Sequence, residues 1–141
     1  LYLNDHQLKE IVEKIFIGYR ETFSDAKEIL NKYNIGVAHH KTIHLLSLYK
    51  GITISELLKK LSVTKQSLNR VLKDLIKLEA VYFKKNVSDT RLKHIFLSKK
   101  GYEISEEIFS VQKKRIYKAF LKSDSKEVVY FNNVLKKIIN E

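Results

Sequence analysis

The chain has 141 residues, enough for one domain with a real core, and no stretch approaches the roughly 20 consecutive apolar residues that a membrane span needs. It contains no Cys, which excludes disulfides, thiolate metal sites and thiol redox sensing. Its formal net charge is +11, and residues 41–100 hold 14 Lys/Arg against 4 Asp/Glu while the rest of the chain holds 13 against 12.

That concentration of charge in one central block is the footprint of a polyanion partner; a basic protein without one has no reason to cluster its charge. The N-terminal segment lacks the basic-then-apolar pattern of a secretory signal, so the expectation is a cytoplasmic protein with no membrane association.

In chain order, Leu8, Ile11, Val12, Ile15, Phe16, Tyr19 and Phe23 recur at helical spacing and predict a first amphipathic helix. Ser24-Asp25 is placed to cap a short second helix that holds Ile29 and Leu30 and ends near Gly36. A third helix is expected over about 37–49, with Ile43 and Leu46 inward and Gly51 stopping it. Thr53-Ile54-Ser55-Glu56 reads as a capping box, in which two helix-end donors are satisfied reciprocally. It opens a short helix ending at the Ser62-Val63 turn, and Thr64 then caps another helix running to about Leu78. Val81-Tyr82-Phe83 and Leu92 to Leu97 are rich in β-formers and flank a polar, basic loop from Lys84 to Arg91, which predicts a two-stranded hairpin with a charged tip. Ser98 caps a long helix, and after a break at Ser123-Asp124-Ser125 a last helix carries Val128, Phe131, Leu135 and Ile138. Val129, Val134 and Ile139 widen its apolar stripe beyond one face, as expected of a helix packed on more than one side.

Two short helices, a tight turn and a hairpin make a winged helix-turn-helix, so the fold expected is mainly α with a small β-hairpin. The helix after Thr64 buries Leu68, Val71, Leu72, Leu75 and Ile76 and turns Gln66, Asn69, Arg70, Lys73 and Lys77 the other way. Lys65, Gln66 and Ser67 crowd its first turn, where such proteins present base-reading side chains. Arg can bond guanine bidentately, Asn or Gln can bond adenine in the same way, and free N–H groups with the Thr64 hydroxyl can hold a phosphate. A solvated face on a core helix would show the same spacing. The capped helix before it and the basic hairpin after it favour DNA reading.

The hairpin resembles the MarR family of regulators. The family wing reads Asp-x-Arg, then an apolar-x-Leu strand ending in Thr/Ser-x-x-Gly, and here stand Asp89 and Arg91, Ile95 and Leu97, Ser98 and Gly101. The resemblance implies that Arg91 enters the minor groove, that Asp89 holds it by a charge-assisted hydrogen bond, and that Lys84, Lys85 and Lys93 lie near phosphates. It further implies a homodimer built from residues 1–35 and 99–141, with residues 36–98 as the winged helix-turn-helix. Two-fold symmetry then suits a pseudo-palindromic operator in double-stranded DNA.

Other readings are weaker. A charge-driven nucleoid or RNA-binding winged helix is the alternative function, but Gln66, Asn69 and Arg70 are base-reading types where Lys would serve a charge-only binder. A protein-interaction winged helix leaves the central positive block unexplained. The family's taste for small phenolic ligands points to an aromatic effector, with Tyr19, Tyr33, His40, His44 and Tyr49 as candidate lining. His39, His40 and His44 cluster on one helix, but no nearby acidic residue completes a tetrahedral set, so no metal and no cofactor are expected. No phosphate loop, HExxH or GxSxG is present, and the adjacent Glu106-Glu107 face different ways, so an enzyme is not expected.

Overall fold

In the computed structural model, which describes residues 2–141, helix α1 (Asp5–Ser24) opens where Asn4 accepts the Gln7 N–H at 2.9 Å. Gln7 accepts the Asn4 N–H in return at 3.0 Å, so both end donors are satisfied. The expected cap for α2 (Lys27–Lys32) does not form. Asp25 ends α1, and Ala26 precedes α2 with no side-chain bond, because Arg115 claims the Asp25 carboxylate from far along the chain.

Helix α3 (Val37–Leu48) sends His40, Thr42, Ile43 and Leu46 into the core. Ahead of α4 (Ile54–Leu61), Thr53 accepts the Glu56 N–H at 3.2 Å, and among the described residues this is the one half of the capping box that is made. Ser62 turns the chain in the left-handed region at φ 53°, and Thr64 opens α5 (Lys65–Lys77) by accepting the Ser67 N–H at 3.1 Å. Leu68, Val71, Leu72 and Leu75 bury one face of α5, each full burial contributing about 1.5–3 kcal/mol, whereas Ile76 stays half in water at the last turn.

Strands β1 (Val81–Lys85) and β2 (Lys93–Leu97) pair antiparallel, with Val81 opposite Leu97 and Lys85 opposite Lys93. Lys84 and Lys85 therefore belong to the strand rather than the loop, and Leu92 lies outside β2, because register against the partner strand sets the ends. A further bridge pairs Thr53 with His94, and the Ile95 N–H donates to Ile52 O at 3.0 Å. The hairpin is thus stitched to the residue that caps α4.

Helix α6 (Lys99–Leu121) starts at Ser98, whose hydroxyl donates to Glu79 O at 2.6 Å and accepts the Gly101 N–H at 3.0 Å. A Cβ on Gly101 would stand 2.1 Å from Ala80 O, so only glycine lets α6 approach the wing root this closely. Asp124 and Glu127 form a full capping box for α7 (Ser125–Ile138). The core gathers Ile43, Leu46, Leu57, Leu68, Leu75, Ile95 and Ile104 from α3, α4, α5, β2 and α6. Neither α1 nor α7 buries a single residue in this chain, and their apolar stripes face outward.

Candidate nucleic-acid interface

The amphipathicity of α5 decides what it shows. With Leu68, Leu72 and Leu75 inward, Lys65, Gln66, Ser67, Asn69, Arg70, Lys73 and Lys77 are all exposed. Thr64 is engaged inside its own cap: its hydroxyl donates to Ser67 Oγ at 2.8 Å and accepts the Ser67 N–H. The hydroxyl expected to hold a phosphate is therefore already in use, and Ser67 sits beside it at the same helix end.

At the hairpin tip, Asp89 Oδ1 accepts both the backbone N–H and the Nε–H of Arg91, at 3.1 and 3.0 Å, and Asp89 Oδ2 accepts from the far guanidinium nitrogen at 3.2 Å. The Arg91 side-chain and backbone donors hold the Asp89 carboxyl below its ordinary pKa. The Arg91 side chain itself is 89% exposed. Lys84, Lys85 and Lys93 are exposed at the ends of the paired strands.

Two residues of the wing escaped the sequence reading. Asn86 Oδ1 accepts the Ser88 and Asp89 N–H groups at 2.9 and 3.1 Å, an Asx-type turn that an Asn before a polar tip can signal. His94 contacts Asn86 Nδ2 at 3.0 Å through Nε2 and Gly51 O at 2.7 Å through Nδ1, and nothing local in the sequence announces the second contact.

Away from the wing, a cavity of about 220 Å³ opens between α3 and α6, with His40, His44, Ser105 and Gln112 among its lining and Ile43, Ile108 and Phe109 as apolar wall. His40 is 1% exposed, and neither ring nitrogen has a hydrogen-bond partner among the described residues. Gln112 lies beside it, but the Gln112 Nε2 is committed to Thr22 O at 3.1 Å. Burial pushes the His40 pKa below its ordinary value, Gln112 acts the other way, and the nearby His44 and Lys41 add smaller contributions to the fall.

The three tyrosines proposed for the same pocket lie elsewhere in this chain. Tyr19 packs on Phe23 within α1 at 4.8 Å between centroids, and Tyr49 is exposed beneath the Lys60 ammonium, 4.2 Å from its ring centre. Tyr33 donates to Glu107 Oε1 at 2.6 Å, a bond that raises the tyrosine pKa and lowers that of the carboxyl. The histidines diverge too: His39 turns to Asp74, His40 goes into the core and His44 stays at the cavity mouth. Among the described residues no three His, Asp or Glu side chains gather as a metal-binding group.

A sequence profile of the MarR family matches residues 33–92. The chain is 35% identical over 140 residues to the HTH-type transcriptional regulator PetP of Rhodobacter capsulatus, covering 99% of this chain and 84% of that protein. Its structure is similar to that of NadR in complex with 4-hydroxyphenylacetate, with a TM-score of 0.79 at 20% identity over 91% of each chain. It is also similar to Streptococcus pneumoniae FabT in complex with DNA, with a TM-score of 0.74 at 20% identity over 94% and 95% of the two chains. These two likenesses speak for the winged-helix fold.

Proposed function

The chain belongs to the MarR family of transcriptional regulators, and from that premise we propose that it acts in the cytoplasm as a homodimer on a pseudo-palindromic operator in double-stranded DNA. Helix α5 lies in the major groove, where Gln66, Asn69 and Arg70 read base edges. The wing places Arg91 in the minor groove, and Lys73, Lys84, Lys85, Lys93 and the Ser67 hydroxyl hold phosphates.

The observation that carries this reading is the bracing of Arg91. A structural arginine is drawn onto the protein body, whereas this one is gripped by Asp89 at a hairpin tip and left almost wholly in water. Such a side chain has already lost part of the entropy that binding would otherwise cost.

The dimer rests on the uncovered helices. The outward apolar stripes of α1 and α7 are of the kind that mark a protein–protein contact, and a two-fold axis covers each stripe with its own copy. A small aromatic effector in the α3–α6 cavity is the matching proposal for control, supported by the unpartnered ring of His40.

The test is titration of genomic fragments at fixed salt with excess polyanion competitor. A fragment retained against the competitor supports sequence-specific regulation. Loss of every fragment in proportion to competitor charge favours charge-driven binding instead.

A further inference from the structure

The wing tip is tied to the body of the domain through two side chains. Gly51 O can only accept, so the 2.7 Å contact puts the proton of His94 on Nδ1 and leaves Nε2 bare in the neutral ring. Nε2 then accepts the Asn86 Nδ2–H at 3.0 Å. The amide orientation this demands is the one that turns Asn86 Oδ1 to the Ser88 and Asp89 N–H groups. Asp89, so placed, holds Arg91. One assignment of protons satisfies the whole run from Gly51 to Arg91.

The body end of this run is well fixed. Gly51 sits at φ 75°, a conformation that favours glycine, and Thr53, bridged to His94, caps α4. We propose that Asn86 and His94 are positioning residues for DNA recognition: they set the wing arginine relative to the helix-turn-helix by clamping the 86–92 loop to the Gly51–Thr53 segment. This rests on the reading that Arg91 grips DNA.

The clamp works with one state of the ring. A second proton turns Nε2 from acceptor to donor, so it faces the Asn86 amide nitrogen, donor against donor. Rotating the amide restores that contact but aims Nδ2 at the Ser88 and Asp89 N–H groups. Either way the loop loses a bond, and Arg91 loses its register.

The test uses the full-length protein and a duplex selected from a random library. Asn86→Ala should weaken binding on the order of three- to tenfold, the range one hydrogen bond spans, and should have no further effect in an Arg91→Ala background. Asn86→Asp keeps the acceptor for Ser88 and Asp89 but sets an oxygen against Nε2, so it should bind about as weakly as Asn86→Ala. His94→Ala should match the Asn86→Ala loss, and the double variant should lose no more than either one. Nitrogen NMR of the free protein should find the His94 proton on Nδ1. An Asn86→Ala loss undiminished in the Arg91→Ala background, or Asn86→Asp binding as tightly as the parent, overturns the clamp while leaving Arg91 in its role. Arg91→Ala binding as tightly as the parent overturns the reading of Arg91 and the clamp with it.

Discussion

His39 joins α3 to α5 through both of its ring nitrogens: Nδ1 accepts the Gly36 N–H at 3.0 Å, which leaves Nε2–H to donate to Asp74 Oδ2 at 2.8 Å. The next residue, His40, lines the cavity behind α3. Adjacent side chains of one helix thus touch the candidate effector site and the helix proposed to read DNA. Asp74 is 55% exposed and His39 17%, so solvent screens the pair. A double-mutant cycle with His39→Ala and Asp74→Ala should give a coupling of about 0.5–1 kcal/mol in urea unfolding. His39→Ala alone should cost about 1–2 kcal/mol, because it also strips the partner from a helix-end N–H. Zero coupling would mean the two groups merely lie side by side.

Reading and gripping should separate on mutation. Arg70→Ala is expected to cost about 1–3 kcal/mol on a cognate duplex while barely changing binding to scrambled DNA, since a base contact carries sequence information. Arg91→Ala should weaken both, more so on sites with A·T-rich flanks. Asp89→Ala should also weaken binding, although removing a negative charge ought by itself to tighten it. Titrations of the three variants on both duplexes check this. Tighter binding by Asp89→Ala, with equal losses for Arg70→Ala on both duplexes, points to a charge-driven binder.

The positive block makes a salt prediction. With three to five phosphates engaged per subunit, log affinity against log salt should fall with a slope of about −5 to −9 for the dimer, at roughly 0.9 per phosphate. A flat response from low to physiological salt removes the electrostatic argument built on residues 41–100.

Light scattering at micromolar concentration should return twice the 16.6 kDa chain mass. Val134→Asp combined with Ile138→Asp places two charges on the outward stripe of α7 and should give the single-chain mass or an unfolded chain. The parent protein running at the single-chain mass would leave the stripes of α1 and α7 without their proposed cover.

Acid should weaken the fold through His40. An unfolded histidine takes its proton near pH 6.5, whereas burial holds the folded ring neutral to lower pH. Within that window the unfolded chain binds more protons, so stability falls as pH drops below about 6.5 and levels off once the folded ring has titrated. Melting curves from about pH 7.5 to about pH 5 should show this slope, and His40→Asn should flatten it. Equal slopes for the two proteins would remove His40 as the cause.

Much of the surface proposed to face DNA is legible in the sequence because its determinants are local. Thr64 and the spacing of Leu68, Leu72 and Leu75 suffice to orient α5, and orienting α5 exposes Gln66, Asn69 and Arg70. Asp89 and Arg91 are two residues apart, so their pairing needs no tertiary knowledge. What escaped depends on distant partners. Asp25 looks like a cap until Arg115 takes it, and Tyr33 looks like pocket lining until Glu107 does. His94 acquires its role from Gly51, an acceptor that only the folded chain brings near. The cavity is seen only when α6 lies across α3 and sets Ser105 and Gln112 beside His40.

The close seat of Gly101 against Ala80 makes α6 a lever. Its 23 residues extend about 35 Å, with one end locked beneath the wing and the other running out toward the uncovered helices. Swinging such an arm through about 5° about its far end carries the wing root by about 3 Å, a large fraction of the width of a minor groove of about 6 Å. In the proposed dimer, a change of angle about Ile116 or Leu121 would therefore alter which half-site separations two wings can straddle. On that reading, substitutions there would shift the preferred operator spacing while the proposed DNA-contacting side chains stay the same.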